Sequence, residues 1–134
     1  MVSDVSQFGV AWLALCVALA IHVADEALTD FLSVYNPAVR AIRARFPFLP
    51  LPIFSFRVWL SGLVVALLVL ASLTPFVFRG AVWMRPLAFA FGLIMAGNGL
   101  LHLIGSLYMK KAMPGVYSAP LILGAAVYLL ASVP

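Results

Sequence analysis

Four long apolar runs constrain the fold of this chain more than any other feature. Each approaches the roughly 20 mostly apolar residues that a helix needs to cross a hydrocarbon core about 30 Å thick. The runs cover about residues 8 to 28 and beyond, 56 to 73, 82 to 109 and 116 to 133. Hydrophobic residues make up 66% of the 134 residues and charged residues only 9%, which excludes an ordinary soluble domain. The sequence therefore predicts an all-α membrane protein, a four-transmembrane-helix bundle that forms one domain over residues 1–134.

The connections between the runs set the predicted topology. The first connection holds four prolines, a density that excludes one continuous helix, although its middle, AVRAIRARF, can form an amphipathic turn or two at the membrane surface. The other two connections are short, so neighbouring runs should be antiparallel. The positive-inside rule then places the first and third connections in the cytoplasm and both termini outside, because six of the eight basic residues lie in or beside them: Arg40, Arg43, Arg45, Arg57, Lys110 and Lys111. This distribution explains the net charge of +4 by topology, and no nucleic-acid partner is predicted.

Aromatic residues mark the expected membrane boundaries. Trp12, Trp59 and Trp83 each fall near the end of a predicted span. Because tryptophan is enriched where membrane meets water, we expect all three to anchor interfaces.

The stretch IHVADEALTD, residues 21–30, concentrates ionisable groups inside the first apolar run. It holds three of the four acidic residues and one of the two histidines. Residues three and four apart share a helix face, so His22, Asp25 and Glu26 project in one direction. An ionised Asp at the centre of a membrane helix costs about 2.5–3.5 kcal/mol, so these groups must face the bundle interior, lose their charge, pair, or bind a cation. Asp30 is expected at the interface, where the helix leaves the membrane.

The third run offers a matching polar pair in AGNGLLHLIGS. Asn98 and His102 are four residues apart and share a face. Since the first and third runs cross in the same direction, His22 and His102 fall at compatible depths in the cytoplasmic half and are predicted to meet. Taken singly, Glu26 can be an interfacial acid solvated by water and His102 a structural hydrogen bond between helices. The conjunction of these groups favours a functional site.

Three motifs in order also resemble the HXXEE family, a group of small bacterial membrane proteins named for a His-x-x-Glu-Glu motif. These motifs are HVADE, NGLLH and MPGVYSAP. The chain departs from the family at Asp25, where the motif has Glu and the side chain here is one methylene shorter. The resemblance implies a multi-pass protein of the bacterial inner (plasma) membrane, and it specifies no reaction. The family's motif positions fall on His22, Asp25, Glu26, Asn98, His102, Pro114 and Gly115, of which the last two are expected to form a turn before the fourth run.

Two chemistries fit these residues, and His22, Asp25, Glu26, Asn98 and His102 are the candidate catalytic residues. In the first, His22, Glu26 and His102 bind one divalent metal, zinc or iron, with Asp25 or Asn98 as a further or outer ligand. In the second, a carboxyl group and a histidine act as acid and base without a metal, in a double-bond shift, an epoxide opening or a cyclisation. The chain has no Gly-rich phosphate loop and no Gly-x-Ser-x-Gly motif.

The expected function is therefore a metal-dependent enzyme acting on a lipophilic substrate. The alternatives are a metal-free acid–base enzyme of isomerase, epoxide hydrolase or cyclase type, and a non-catalytic module that binds or transports a small ligand or a cation. The outer halves, WLALCVALA and AFAFGLIMAG, carry no polar track, which argues against a transport path. The expected partners are membrane lipids and a lipophilic small molecule, and a homo-oligomer stays open.

Overall fold

The computed structural model describes residues 2–134, with side chains from residue 4 onward. The described chain contains helices, turns and extended segments and no strand. The prediction of an all-α chain is confirmed. The helices are α1 (Val2–Leu28), α2 (Leu32–Arg45), α3 (Phe56–Ser72), α4 (Thr74–Phe78), α5 (Met84–Met109) and α6 (Ala119–Ser132).

Three helical stretches in the described part of the chain are long and apolar enough to cross a membrane. They are Asp4–Leu28, Phe56–Phe78 (α3 and α4 together) and Met84–Met109. The fourth apolar helix, α6, is shorter than the span predicted at residues 116–133, since it has 14 residues and is therefore about 21 Å long. Its start is delayed by a turn around Gly115, which adopts a left-handed φ of 85°. Helix length alone therefore supports a membrane protein and does not establish four spans.

The first connection contains more helix than predicted. α2 has 14 residues and includes Pro37, although proline removes one helical hydrogen bond. Pro37 lies on an exposed face near the start of α2, and the helix continues past it to two basic residues in its last turn, Arg43 and Arg45. Basic side chains are favourable at this end of the helix dipole. The other three prolines of this connection lie in the non-helical segment at residues 46–55.

The core lies along one face of α1. Phe8, Trp12, Leu15 and Leu19 recur at helical spacing, and all are buried. α6 packs against both α1 and α5, while α3 and α4 pack against α1. His22 follows on the same face of α1, so the apolar stripe leads directly into the polar residues.

The prediction that Trp12 anchors an interface is wrong. The Trp12 side chain is 0% exposed, and its ring lies edge-on to that of Phe91 with centroids 5.3 Å apart. The indole N–H donates to the Leu70 carbonyl at 3.1 Å, so the one polar atom of the ring is satisfied inside the bundle. Trp59 is also buried, and only Trp83 is exposed.

The start of α1 and Pro134 lie at the same end of the bundle. The first turns of α1, the connection between α4 and α5, and Pro134 line one cavity of about 490 Å³. Arg79 and Arg85 belong to this end, whereas the six other basic residues belong to the opposite end with α2 and the connection between α5 and α6.

Glycines allow α5 and α6 to approach closely. A Cβ atom on Gly99 would lie 3.0 Å from both the Ala119 carbonyl oxygen and Leu123 Cβ. Gly97, two residues earlier on α5, has no atom within 4 Å of the same position. Only Gly99 of this pair is therefore required for helix packing.

We expect Gly99→Leu to destabilise the protein by about 1–3 kcal/mol or more, because the added side chain meets backbone that cannot move aside. Gly97→Leu is the matched control and should leave stability unchanged or slightly raised, since leucine is the better helix former. Thermal unfolding in detergent, followed by far-UV circular dichroism, compares the two. Equal melting temperatures for both variants would contradict the close α5–α6 contact.

Candidate metal centre

Three ionisable side chains meet at the end of the buried stripe of α1. His22 and Glu26 of α1 and His102 of α5 are 0%, 6% and 1% exposed. Glu26 Oε1 lies 3.0 Å from His102 Nε2 and 3.5 Å from His22 Nε2. One candidate ligand atom from each of the three residues lies within 4.8 Å of the others. The meeting of the two histidines expected from the sequence is thus present.

The outer nitrogen of His22 is fixed by a hydrogen-bond chain. His22 Nδ1 lies 2.7 Å from Ser118 Oγ, and that hydroxyl donates to Asp25 Oδ2 at 2.7 Å. The Ser118 backbone N–H donates to the same Asp25 oxygen at 2.8 Å. Because a hydroxyl has one proton and gives it to the carboxylate, Ser118 Oγ must accept from His22 Nδ1–H. In the neutral ring, Nε2 then carries the lone pair.

A backbone carbonyl determines that the outer nitrogen of His102, Nδ1, also carries a proton. His102 Nδ1 lies 2.6 Å from the Pro114 carbonyl oxygen. A carbonyl oxygen only accepts, so Nδ1 carries the proton and Nε2 of the neutral ring carries the lone pair.

Lone pairs from both histidines therefore face the Glu26 carboxylate in a buried space. Within the described part of the chain, His22 Nε2 has no hydrogen-bond partner although it is fully buried. Such an arrangement is unfavourable unless a cation or an additional proton lies between the acceptors. Metal-bound histidines commonly donate their second N–H to a carbonyl or to a carboxylate-linked group, as both rings do here. The donor set fits a divalent metal with three protein ligands and an open position.

A non-helical segment, residues 110–118, folds back against the cluster. The Gly115 N–H donates to Thr29 Oγ at 3.1 Å, and the Met113 N–H donates to Ser106 Oγ at 2.9 Å. The Thr29 hydroxyl itself donates to the Asp25 carbonyl at 2.6 Å. Irregular backbone at membrane depth requires partners of this kind, because lipid supplies none.

The other candidate residues lie outside the three-residue cluster. Asp25 is half-buried and its carboxylate is directed to Ser118. Asn98 is half-buried on α5, and no hydrogen bond among residues 4–134 joins it to the cluster. Asp30 is exposed at the end of α1, as expected.

Sequence reasoning missed the groups that orient the histidines. Pro114 was expected only to form a turn, and Ser118 fell inside the predicted fourth span at residues 116 to 133, with no role predicted for it. Thr29, which shares a helix face with Asp25, was the one sequence feature that indicated a supporting group, since its hydroxyl accepts a hydrogen bond from the Gly115 N–H.

We expect Gly115→Ala to disrupt the cluster. Gly115 has a φ of 85°, and a Cβ atom there would lie 2.6 Å from His102 Cε1 and 2.9 Å from Glu26 Cγ. Gly80→Ala is the control, because Gly80 also has a left-handed φ, of 68°, and lies far from the cluster. The control should lose about 1–2 kcal/mol, mainly from backbone strain, since the nearest atom to its new Cβ is the end of the Val5 side chain at 3.3 Å. Gly115→Ala should lose about 1–3 kcal/mol more from overpacking. Thermal unfolding in detergent measures both, and equal losses would contradict the packing of Gly115 on His102.

The comparisons with known proteins agree with these motifs. No curated protein and no solved structure matches the chain. A family model described as "Protein of unknown function with HXXEE motif" matches residues 12–129, a range that includes both histidines, Asp25, Glu26 and the Pro114–Gly115 turn. The chain therefore belongs to the HXXEE family.

Proposed function

We propose that this protein is a multi-pass membrane enzyme that binds one divalent metal ion through His22, Glu26 and His102 and acts on a lipophilic substrate. The observation that carries the proposal is the convergence of His22 Nε2, His102 Nε2 and Glu26 Oε1, with both Nδ1 atoms already engaged. Two imidazoles and one carboxylate suit catalytic zinc or non-haem iron. Such an ion, when bound, supplies Lewis-acid or, for iron, redox chemistry at a position left open to substrate.

The residues around the three ligands have supporting roles in this proposal. Ser118, held by Asp25, orients the His22 ring, and the Pro114 carbonyl orients the His102 ring. Asp25 adds a second negative charge next to the site, which favours a cation. The surrounding helices keep water away and strengthen these interactions.

The proposed topology places the site on the cytoplasmic side of a bacterial inner membrane. Four helices cross the bilayer, and residues 114–118 extend the short α6 to the level of the cluster. Six of the eight basic residues lie at the same end as the cluster, so the positive-inside rule assigns that end to the cytoplasm and both termini to the outside.

A lipophilic substrate is favoured by what surrounds the cluster. The core stripe from Phe8 to Leu19 separates the cluster from the opposite end of the bundle and is apolar. This seal argues against a transport path. On the side that faces α3, the cluster is bordered by the aromatic ring of Phe31, whose centroid lies 5.5 Å from that of His102.

A metal-free acid–base enzyme is the second candidate. It is favoured by the 3.0 Å distance between Glu26 Oε1 and His102 Nε2, which suits a single shared proton. In that case Glu26 and His102 exchange a proton with the substrate directly.

Metal content separates these candidates. We expect about one equivalent of zinc or iron in protein purified in mild detergent, because a three-ligand site binds one ion. His22→Gln, Glu26→Gln and His102→Gln should each lose most of it while remaining folded by size-exclusion chromatography and circular dichroism. Asp30→Asn is the matched control, since it removes an exposed acid that lies outside the cluster and should retain the metal. Native protein without metal, and without uptake after incubation with Zn²⁺ or Fe²⁺, would refute the metal proposal and leave acid–base chemistry.

Ser118→Ala tests the orientation of His22. Losing such a supporting hydrogen bond typically lowers metal affinity by about 10- to 100-fold. Ser132→Ala is the control, because Ser132 is also a buried serine but its hydroxyl donates to the Tyr128 carbonyl, away from the cluster. Competition with a chelator measures affinity, and Ser118→Thr should restore it by returning the hydroxyl. Unchanged affinity in Ser118→Ala would show that the hydroxyl does not orient a ligand.

A further inference from the structure

An aromatic cavity of about 280 Å³ lies beside the cluster, on the side of α3. Its walls come from the start of α2, the extended segment before α3 and the first turns of α3. Rings dominate the lining, with Phe31 close to both Tyr35 and Trp59, at centroid distances of 5.6 and 6.0 Å. The lining includes Phe31, Tyr35, Phe54, Val58, Trp59 and Gly62.

One ring, that of Phe31, belongs both to the wall of this cavity and to the surroundings of the candidate metal centre. Phe31 contributes to the cavity wall, and its ring centroid also lies 5.5 Å from that of His102. A molecule in the cavity would therefore have its inner end next to the cluster.

The outer wall of the cavity is held in place by α2. The Asn36 side chain donates to the Phe54 carbonyl at 2.9 Å and accepts from the Phe54 N–H at 3.1 Å. The Tyr35 hydroxyl donates to the Pro52 carbonyl at 3.2 Å. These bonds fix an otherwise extended segment against α2, so the cavity is formed before anything binds, as ligand sites usually are.

The size and chemistry of the cavity limit what it can accept. Small-molecule sites are usually about 300–1,000 Å³, so this cavity of about 280 Å³ lies just below that range and suits one narrow chain better than a fused ring system. The exposed surface of the lining is mostly apolar, and the Tyr35 hydroxyl is engaged with Pro52. Recognition here would therefore come mainly from apolar contact. Gly62 keeps part of the wall open, because a Cβ atom there would meet nothing within 4 Å.

We propose that this cavity binds a single apolar chain, straight acyl or prenyl, and so presents the polar end of a lipophilic substrate to His22, Glu26 and His102. The role of that polar end rests on the proposed function. Chain binding is a separate property that does not require the metal.

Photolabelling tests chain binding directly. The probes are a straight-chain fatty alcohol and a prenyl alcohol, each carrying a diazirine, added to the full chain in phospholipid nanodiscs. Excess non-photoreactive alcohol defines the saturable labelling, and peptide mapping locates it. We expect saturable labelling at residues 31–35 and 54–59. The probe that gives more saturable labelling identifies the type of chain.

Gly62→Phe places a phenyl ring in the space that the apolar chain would occupy. It should lower the saturable labelling by about tenfold or more, because the chain and the ring cannot share that space. Gly124→Phe is the matched control, since Gly124 is an exposed helical glycine that also has no atom within 4 Å of its Cβ position. Labelling should persist in this control. A second variant, Phe31→Ala, removes the ring beside His102 and should extend labelling to the peptide that contains His102.

The outcomes distinguish the two proposals. Labelling that is not saturable, or that is equal in Gly62→Phe and Gly124→Phe, would overturn the cavity assignment even if metal is bound. Should Gly62→Phe fail to fold, an unchanged labelling pattern in Phe31→Ala would overturn it instead. Saturable labelling of the cavity in a protein without metal would support the chain site and refute only the metal centre.

Discussion

The burial of the Glu26 carboxylate is the constraint on which the rest of the structure depends. An ionised carboxylate in an apolar bundle costs several kcal/mol unless it is paired and hydrogen-bonded. The groups that face it are two histidine Nε2 atoms, and both rings already use Nδ1–H in other hydrogen bonds. The three side chains therefore form a stable arrangement only with a cation or a proton between them. That requirement connects the meeting of α1 and α5 side chains at the cluster to the chemistry proposed for the site.

The turn between α5 and α6 follows from the same constraint. Helix α5 continues two turns beyond His102, so the chain must fold back to bring the Pro114 carbonyl to that ring. The return requires irregular backbone inside the bundle, and side-chain hydroxyls of Thr29 and Ser106 satisfy two of its N–H groups. A glycine at position 115 allows the backbone to lie directly on His102 and Glu26. The shortness of α6 is the consequence, because the residues before it complete the site.

Helical periodicity and topology were enough to predict that His22 and His102 meet, since both follow from spacing within apolar runs. The partners of their Nδ1 atoms were not predictable, because Ser118 is 96 residues from His22 and reaches it only through the folded turn. The ends of helices α1 and α5 were also not predictable from the sequence. α1 and α5 each end with a left-handed residue, Asp30 and Lys110, where glycine is the usual signal. Trp12 was misjudged for a similar reason, since its partner is a backbone carbonyl of another helix.

The end of α1 determines how the cluster and the aromatic cavity are joined. Phe31 follows His22 by nine residues, so on a continuous helix its side chain would point about 180° away from that of His22. The left-handed Asp30 prevents this, and the Phe31 N–H bonds back to the Glu26 carbonyl at 3.0 Å, the pattern of a Schellman motif. The chain then turns, and the Phe31 ring reaches His102. The Glu26 side chain therefore faces the histidines while its backbone carbonyl fixes the turn that carries Phe31. One residue thus couples the polar cluster to the apolar cavity beside it.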